Sequence, residues 1–230
     1  SKYAENKHFG KPSGLMDQMA SSVGGLTYID FKNDDPRIEE MTYDFAAKGF
    51  ALVVVNTGGS HDDLTEHYAA IPAEMRAVAR CFGENCLRRV RPEQFMQNIP
   101  MIREKLGPGK ADRPILRAAH FYEENERVSD MVDALRTDKL DVFLRGVTAS
   151  GASSAMYLQN IYATGDRQEV SLALMLADRM LRGKGAWRVH GGGFAGTTLN
   201  FVPTKDLEAF VSQMQAVYGE HSCQVLDIRP

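Results

Sequence analysis

The run Ala51-Leu52-Val53-Val54-Val55 is apolar at every position. A strand wet on one face alternates polar and apolar residues, so an unbroken run marks a strand in the middle of a sheet. Two more strand candidates precede it, at 26–31 and 38–45. Asn-Asp-Asp-Pro-Arg separates them, and Lys-Gly separates the second from 50–57. Before these, Ser13 reads as the N-cap of a helix over 13–23 that ends at Gly24-Gly25. Its Leu15, Met19 and Val23 recur every fourth residue, so one face is expected to be buried.

From 61 onward the pattern turns helical. Leu64, Tyr68, Ile71 and Met75 repeat at three- and four-residue spacing, with Pro72 expected to start a new helix or kink the old one. Further helices are expected at 92–105, 115–135, 140–149 and 167–181. The final third reads strand (187–189), glycine loop (191–196), strand (197–202), helix (206–218) and strand (223–228). That order predicts an α+β fold rather than a repeating βαβ one. At 230 residues the chain can bury roughly 70% of the surface its unfolded form exposes, enough for a substantial core.

Composition narrows the function classes. A net charge of −3 argues against a protein built to neutralise nucleic-acid phosphates. The apolar runs fall far short of the ~20 residues of a membrane-spanning helix. The opening SKYAENKHFG is polar, unlike a secretory leader. Cys81, Cys86 and Cys223 are too few and too scattered for a disulfide framework or a zinc site, so reduced thiols and a cytoplasmic location are expected.

Two segments carry candidate chemistry. Gly191-Gly192-Gly193-Phe194-Ala195-Gly196 satisfies a GxGxxG pattern, but a strand follows it where a dinucleotide fold requires a helix. It reads either as a glycine hairpin or as a loop kept small for the close approach of a backbone or a phosphate. In Gly14-Leu15-Met16-Asp17-Gln18 the acid stands in a first helical turn. There Asp17 complements the helix dipole, or it faces a substrate hydroxyl beside Gly14. Glu5, twelve residues earlier, supplies a second carboxylate, and a pair split between a metal and a hydroxyl suits phosphoryl transfer. The helical spacing of Tyr68 slightly favours a core aromatic over a functional one.

Taken together these pieces resemble the galactokinase branch of the GHMP small-molecule kinases. Ala4-Glu5-Asn6 followed by Gly14-Leu15-Met16-Asp17-Gln18 is similar to that family's AEN…G-[IL]-M-D-Q signature. Asn56-Thr57 with Leu64 and Tyr68 resembles its strand-to-helix segment, and Val189-His190-Gly191-Gly192-Gly193-Phe194-Ala195-Gly196 resembles its GGGFGG loop. The resemblance implies ATP and Mg²⁺ as cofactors and a sugar as substrate. It assigns Asp17 as the catalytic carboxylate, Gly14, Asp17 and Tyr68 to the sugar, Glu5 to Mg²⁺, and Gly191, Gly192 and Gly193 to the cofactor side.

Neither the family's arginine-bearing first motif nor its GLSSSA-like phosphate loop occurs in the 230 residues. The implied fold is therefore GHMP-kinase-like, with residues 1–58 a remnant of the first lobe and 59–230 a helix-rich, ferredoxin-like C-terminal domain. Such a chain is expected to be inactive alone, and its strand at 50–57 to lack some natural neighbours and so find substitutes by self-association or by rearrangement. Ala195 and His190 depart from the family's usual Gly and Thr, and Ser150-Gly151-Ala152-Ser153-Ser154 replaces a His/Arg/Asp-rich helix start. The alternatives are a non-catalytic sugar-sensing regulator of the same fold and a kinase for an amino sugar, a uronic acid or a mevalonate-like alcohol.

Overall fold

The computed structural model describes residues 15–33, 35–59, 64–194 and 196–228. Glu5, Gly14 and the expected N-cap Ser13 lie outside the described residues. Two compact units result, Ser1–Asp44 with Asp227–Pro230, and Phe45–Leu226.

The first unit contains helix α1 (Met16–Val23) and strands β1 (Leu26–Asp30) and β2 (Arg37–Met41). The strands pair antiparallel, with Leu26 opposite Met41 and Asp30 opposite Arg37. Gly24, at φ 80°, ends α1 and donates its N–H to the Ala20 carbonyl. The expected buried face of α1 is only half-buried at Leu15, Met19 and Val23, and no residue of the helix is fully covered. β2 ends at Met41, short of Phe45. Phe45 is buried in the second unit, its ring 5.4 Å from Phe143 and 5.1 Å from Phe201.

The second unit is built on β3 (Phe50–Asn56), β4 (Ala186–Val189), β5 (Thr197–Pro203) and β6 (Cys223–Leu226). The sheet order is β4-β5-β3-β6 and every pairing is antiparallel. β3 is thus an interior strand, with β5 on one side and β6 on the other. The expectation that it lacks neighbours does not hold: the glycine loop and the last helix return β5 and β6 to its two edges.

Helices α7 (Glu169–Leu181) and α8 (Leu207–Tyr218) cover one face of the sheet. There Val53, Val55 and Val202 are sealed with Ala177, Leu181, Phe210 and Met214, and each such valine contributes roughly 1.5–3 kcal/mol. The opposite face is covered more loosely. Phe201 packs on Phe143, whereas Leu52 and Val54 are half-buried. The unbroken apolar run therefore does not produce equal burial on its two sides.

The remaining helices are α2 (Thr65–Arg80), α3 (Pro92–Gln97), α4 (Ile99–Leu106), α5 (Asp112–Arg136) and α6 (Leu140–Ser153). α2 runs through Pro72 as one helix, so no new helix starts there. The expected 92–105 helix is two helices. The break at Asn98 places Pro100 in the first turn of α4, where its missing N–H costs nothing. α6 runs beyond 149 and continues as a π-helical turn, Ser154–Leu158, closed by Gln159 at φ 57°. Val78, Ala79, Phe95, Ile102, Ala118 and Tyr122 form a second core among α2 to α5. All three cysteines are free thiols. No helix among the described residues is long and apolar enough to cross a membrane.

Candidate functional site

The loop between β4 and β5 is held from two sides. On one side stands Tyr68, in the first turn of α2. Its phenol donates to the Gly193 carbonyl at 2.8 Å, and its ring meets Phe194 edge-on at 5.3 Å. A Cβ on Gly192 would come within 2.7 Å of the Tyr68 ring, so that contact requires glycine. Burial pushes the Tyr68 phenol above its ordinary value, which keeps it a neutral donor near pH 7.

On the other side stands Asn160, just beyond the π-helical turn and 3% exposed. Its carbonyl accepts the Phe194 N–H, and its side-chain amide donates to the Gly192 carbonyl at 3.1 Å. Gly193 has φ 81°, and a Cβ there would overlap the Asn160 carbonyl oxygen and lie 2.6 Å from its side-chain nitrogen. Of the readings open for the glycine pattern, close backbone approach is the one met at Gly193. Gly191, by contrast, has open space where a Cβ would project.

Phe194 is not a glycine, yet it has φ 61° and is 5% exposed. A bulky residue in the left-handed region is strained, and it persists only where its surroundings over-determine it. Here Leu64, Tyr68 and Ile71 enclose the ring. Where the loop rejoins the sheet, Thr57 donates both its N–H (2.8 Å) and its hydroxyl (2.7 Å) to the Gly196 carbonyl.

Two residues before Asn160, the Leu158 carbonyl meets an ion pair of a buried arginine and a half-buried glutamate. Arg117, on α5, is 3% exposed and meets Glu74 of α2 at 2.9 Å. Its Nε–H donates to the Leu158 carbonyl at 3.1 Å, at the end of the π-helical turn. Arg113 also pairs with Glu74. Burial pulls the Arg117 guanidinium below its ordinary value; Glu74 opposes that shift and Arg113 adds to it.

Of the residues singled out in the sequence, the structure brings together Tyr68, Gly192 and Gly193. Asp17 is exposed in the first turn of α1, within the first unit. Among the described residues no cluster of three or more acidic, His or Cys side chains could hold a metal ion. Sequence reasoning passed over Asn160, Arg117 and the strained Phe194. Asn160 carries no periodic or motif signal, because the loop residues it holds, Gly192 and Phe194, stand more than thirty residues away in the chain.

No protein-family model matches the chain. It is 30% identical over 205 residues to the galactokinase of Actinobacillus pleuropneumoniae, a match covering 89% of this chain and 50% of that protein. It is 29% identical over 206 residues to the galactokinase of Glaesserella parasuis, covering 90% and 50%. The crystal structure of Lactococcus lactis galactokinase complexed with galactose superposes with a TM-score of 0.79 at 22% identity. That superposition covers 99% of this chain and 57% of that one. The chain spans about half the length of the curated relatives it matches. It is thus similar in sequence to galactokinases over nine tenths of its length and carries the GHMP-kinase fold seen in part of one.

Proposed function

We propose that these residues belong to an ATP- and Mg²⁺-dependent kinase that phosphorylates galactose, or a close hexose, at the C1 hydroxyl in the cytoplasm. The observation that carries the reading is the similarity to galactokinases along nearly the whole chain. The contact of Tyr68 with the glycine loop supports it.

In this reading Asp17 accepts or orients the C1 hydroxyl proton. Its exposed place in the first turn of α1 leaves the carboxylate accessible to a hydroxyl. Gly14 and Tyr68 line the sugar site. The Tyr68 phenol, which donates to the Gly193 carbonyl, ties that site to the glycine loop. On the cofactor side, the small size of Gly192 and Gly193 serves Tyr68 and Asn160, so the open approach lies at Gly191. Glu5, outside the described residues, is the proposed acidic partner of Mg²⁺. ATP supplies the phosphoryl group, and the metal neutralises charge on the phosphate oxygens.

The test is sugar-dependent ADP release by the complete protein, first unaltered and then as Asp17→Asn. The amide is near-isosteric, so sugar affinity should hold while kcat falls by about 10²-fold or more, the effect of losing an acid–base group. A complete protein that binds galactose but releases no ADP is a sugar sensor instead. An Asp17→Asn enzyme with normal kcat removes the role assigned to that carboxylate.

A further inference from the structure

The two sides of the glycine-loop clamp come from different elements. Tyr68 belongs to α2, and Asn160 follows the π-helical turn. Arg117 binds to both, to Glu74 two turns along α2 from Tyr68 and to the Leu158 carbonyl two residues before Asn160. One guanidinium therefore fixes the separation of the two jaws. Its planar fork is suited to this, because Nη1 and Nε address two acceptors in fixed directions. The loop between the jaws is crowded at Gly192 and Gly193. Its Gly192 and Gly193 positions have no room for a Cβ, and Phe194 is held in a strained conformation.

We propose that Arg117 and Asn160 are positioning residues for phosphoryl transfer, holding the residue 190–194 loop through a Tyr68–Asn160 clamp whose width the Glu74–Arg117–Leu158 brace sets. The inference rests on the kinase reading above for its catalytic consequence, though not for the clamp itself. Phosphoryl transfer is mostly positioning, so a loop displaced by about 1 Å loses rate far more than affinity. Arg117 acts through its contacts with Leu158 and Glu74.

The experiment uses the complete protein in three variants, Asn160→Ala, Arg117→Lys and Tyr68→Phe, with two readouts. Hydrogen exchange of residues 190–194 reports the clamp without any ligand. Galactose-dependent ADP release reports catalysis. Arg117→Lys keeps the charge beside Glu74 but cannot address both acceptors as the fork does. Tyr68→Phe removes only one hydroxyl and keeps the packing, so it tests the clamp even if Asn160→Ala fails to fold.

The expected result is faster loop exchange in every folded variant. In Asn160→Ala and Arg117→Lys, kcat should drop about tenfold or more with galactose KM little changed. Unchanged loop exchange in the folded variants overturns the clamp. Faster exchange with unchanged kcat overturns the positioning role. An unaltered protein without sugar-dependent ADP release defeats the kinase reading, and the exchange readout still decides the clamp.

Discussion

His120 is the buried histidine among the described residues of the second unit. It is 8% exposed on α5, its Nδ1 lies 2.9 Å from the Ser153 hydroxyl of α6, and Glu124, Arg127 and Arg188 surround it. Glu124 is itself committed, accepting from Ser150 and pairing with Arg127, with Arg188 at 3.8 Å. Burial pushes the His120 imidazole below its ordinary 6.5; Glu124 opposes that, while Arg127 and Arg188 reinforce it. The folded protein thus holds this ring neutral where the unfolded chain would protonate it. The unfolded state binds more protons below 6.5, so stability falls as pH drops from there, by at most ~1.4 kcal/mol per pH unit for one group. Asp112 and Asp141 act elsewhere. Arg103 and Arg145 lower them, and their contribution is lost only below the ordinary carboxylate value. Thermal melts between about pH 4.5 and 6.5 should show a decline that His120→Gln flattens. The same slope in the variant would assign the decline to other groups.

At the scale of elements, α6 approaches β4 more closely than its sequence suggests. A Cβ on Gly151 would lie 2.8 Å from the Trp187 carbonyl oxygen and 3.0 Å from the Arg188 Cα, both backbone atoms that cannot swing aside. Gly151→Ala in an open helix would stabilise by about 0.8–1.0 kcal/mol. Here overpacking reverses the sign, and a net loss of about 1–3 kcal/mol is expected in a urea titration. A Cβ on Gly146, on the same helix, would meet side chains alone, the Met131 Cγ at 2.5 Å and Sδ at 2.9 Å and the Arg127 Cγ at 3.9 Å. Met131 must shift, but an unbranched side chain can where a backbone cannot, so Gly146→Ala should cost less than Gly151→Ala. Equal effects at both positions would show that the close approach carries no energetic weight. The contrast also marks what the sequence discloses. β3 was legible because its apolar run admits one placement, and Tyr68 and the glycine loop because they resemble a known motif. The length of α6, its π-helical turn and the Asn160 contact were not legible. They arise from packing between segments far apart in the chain, which leaves no local period.

At the scale of the whole chain, the division falls between Asp44 and Phe45, ahead of β3. The sheet of β3 to β6 and four hydrophobic clusters all lie within Phe45–Leu226. The order β4-β5-β3-β6, antiparallel throughout and with α7 and α8 on one face, is a ferredoxin-like arrangement. The first unit has a different character. Among its described residues the sheet has two strands and α1 has no fully buried residue, so these elements gain little from a core of their own. The second unit should therefore fold without the first. Residues 45–226 expressed alone should unfold cooperatively, with a Tm within about 5 °C of the 230-residue chain, the shift expected for a change of roughly 1–2 kcal/mol. Trp187, the single tryptophan, packs between the α7–α8 core and the Val170–Val189 cluster, so its fluorescence reports the unit directly. A broad, non-cooperative transition for 45–226 would mean that residues before Phe45 supply part of this core, and the boundary at Asp44 would then not be a folding boundary.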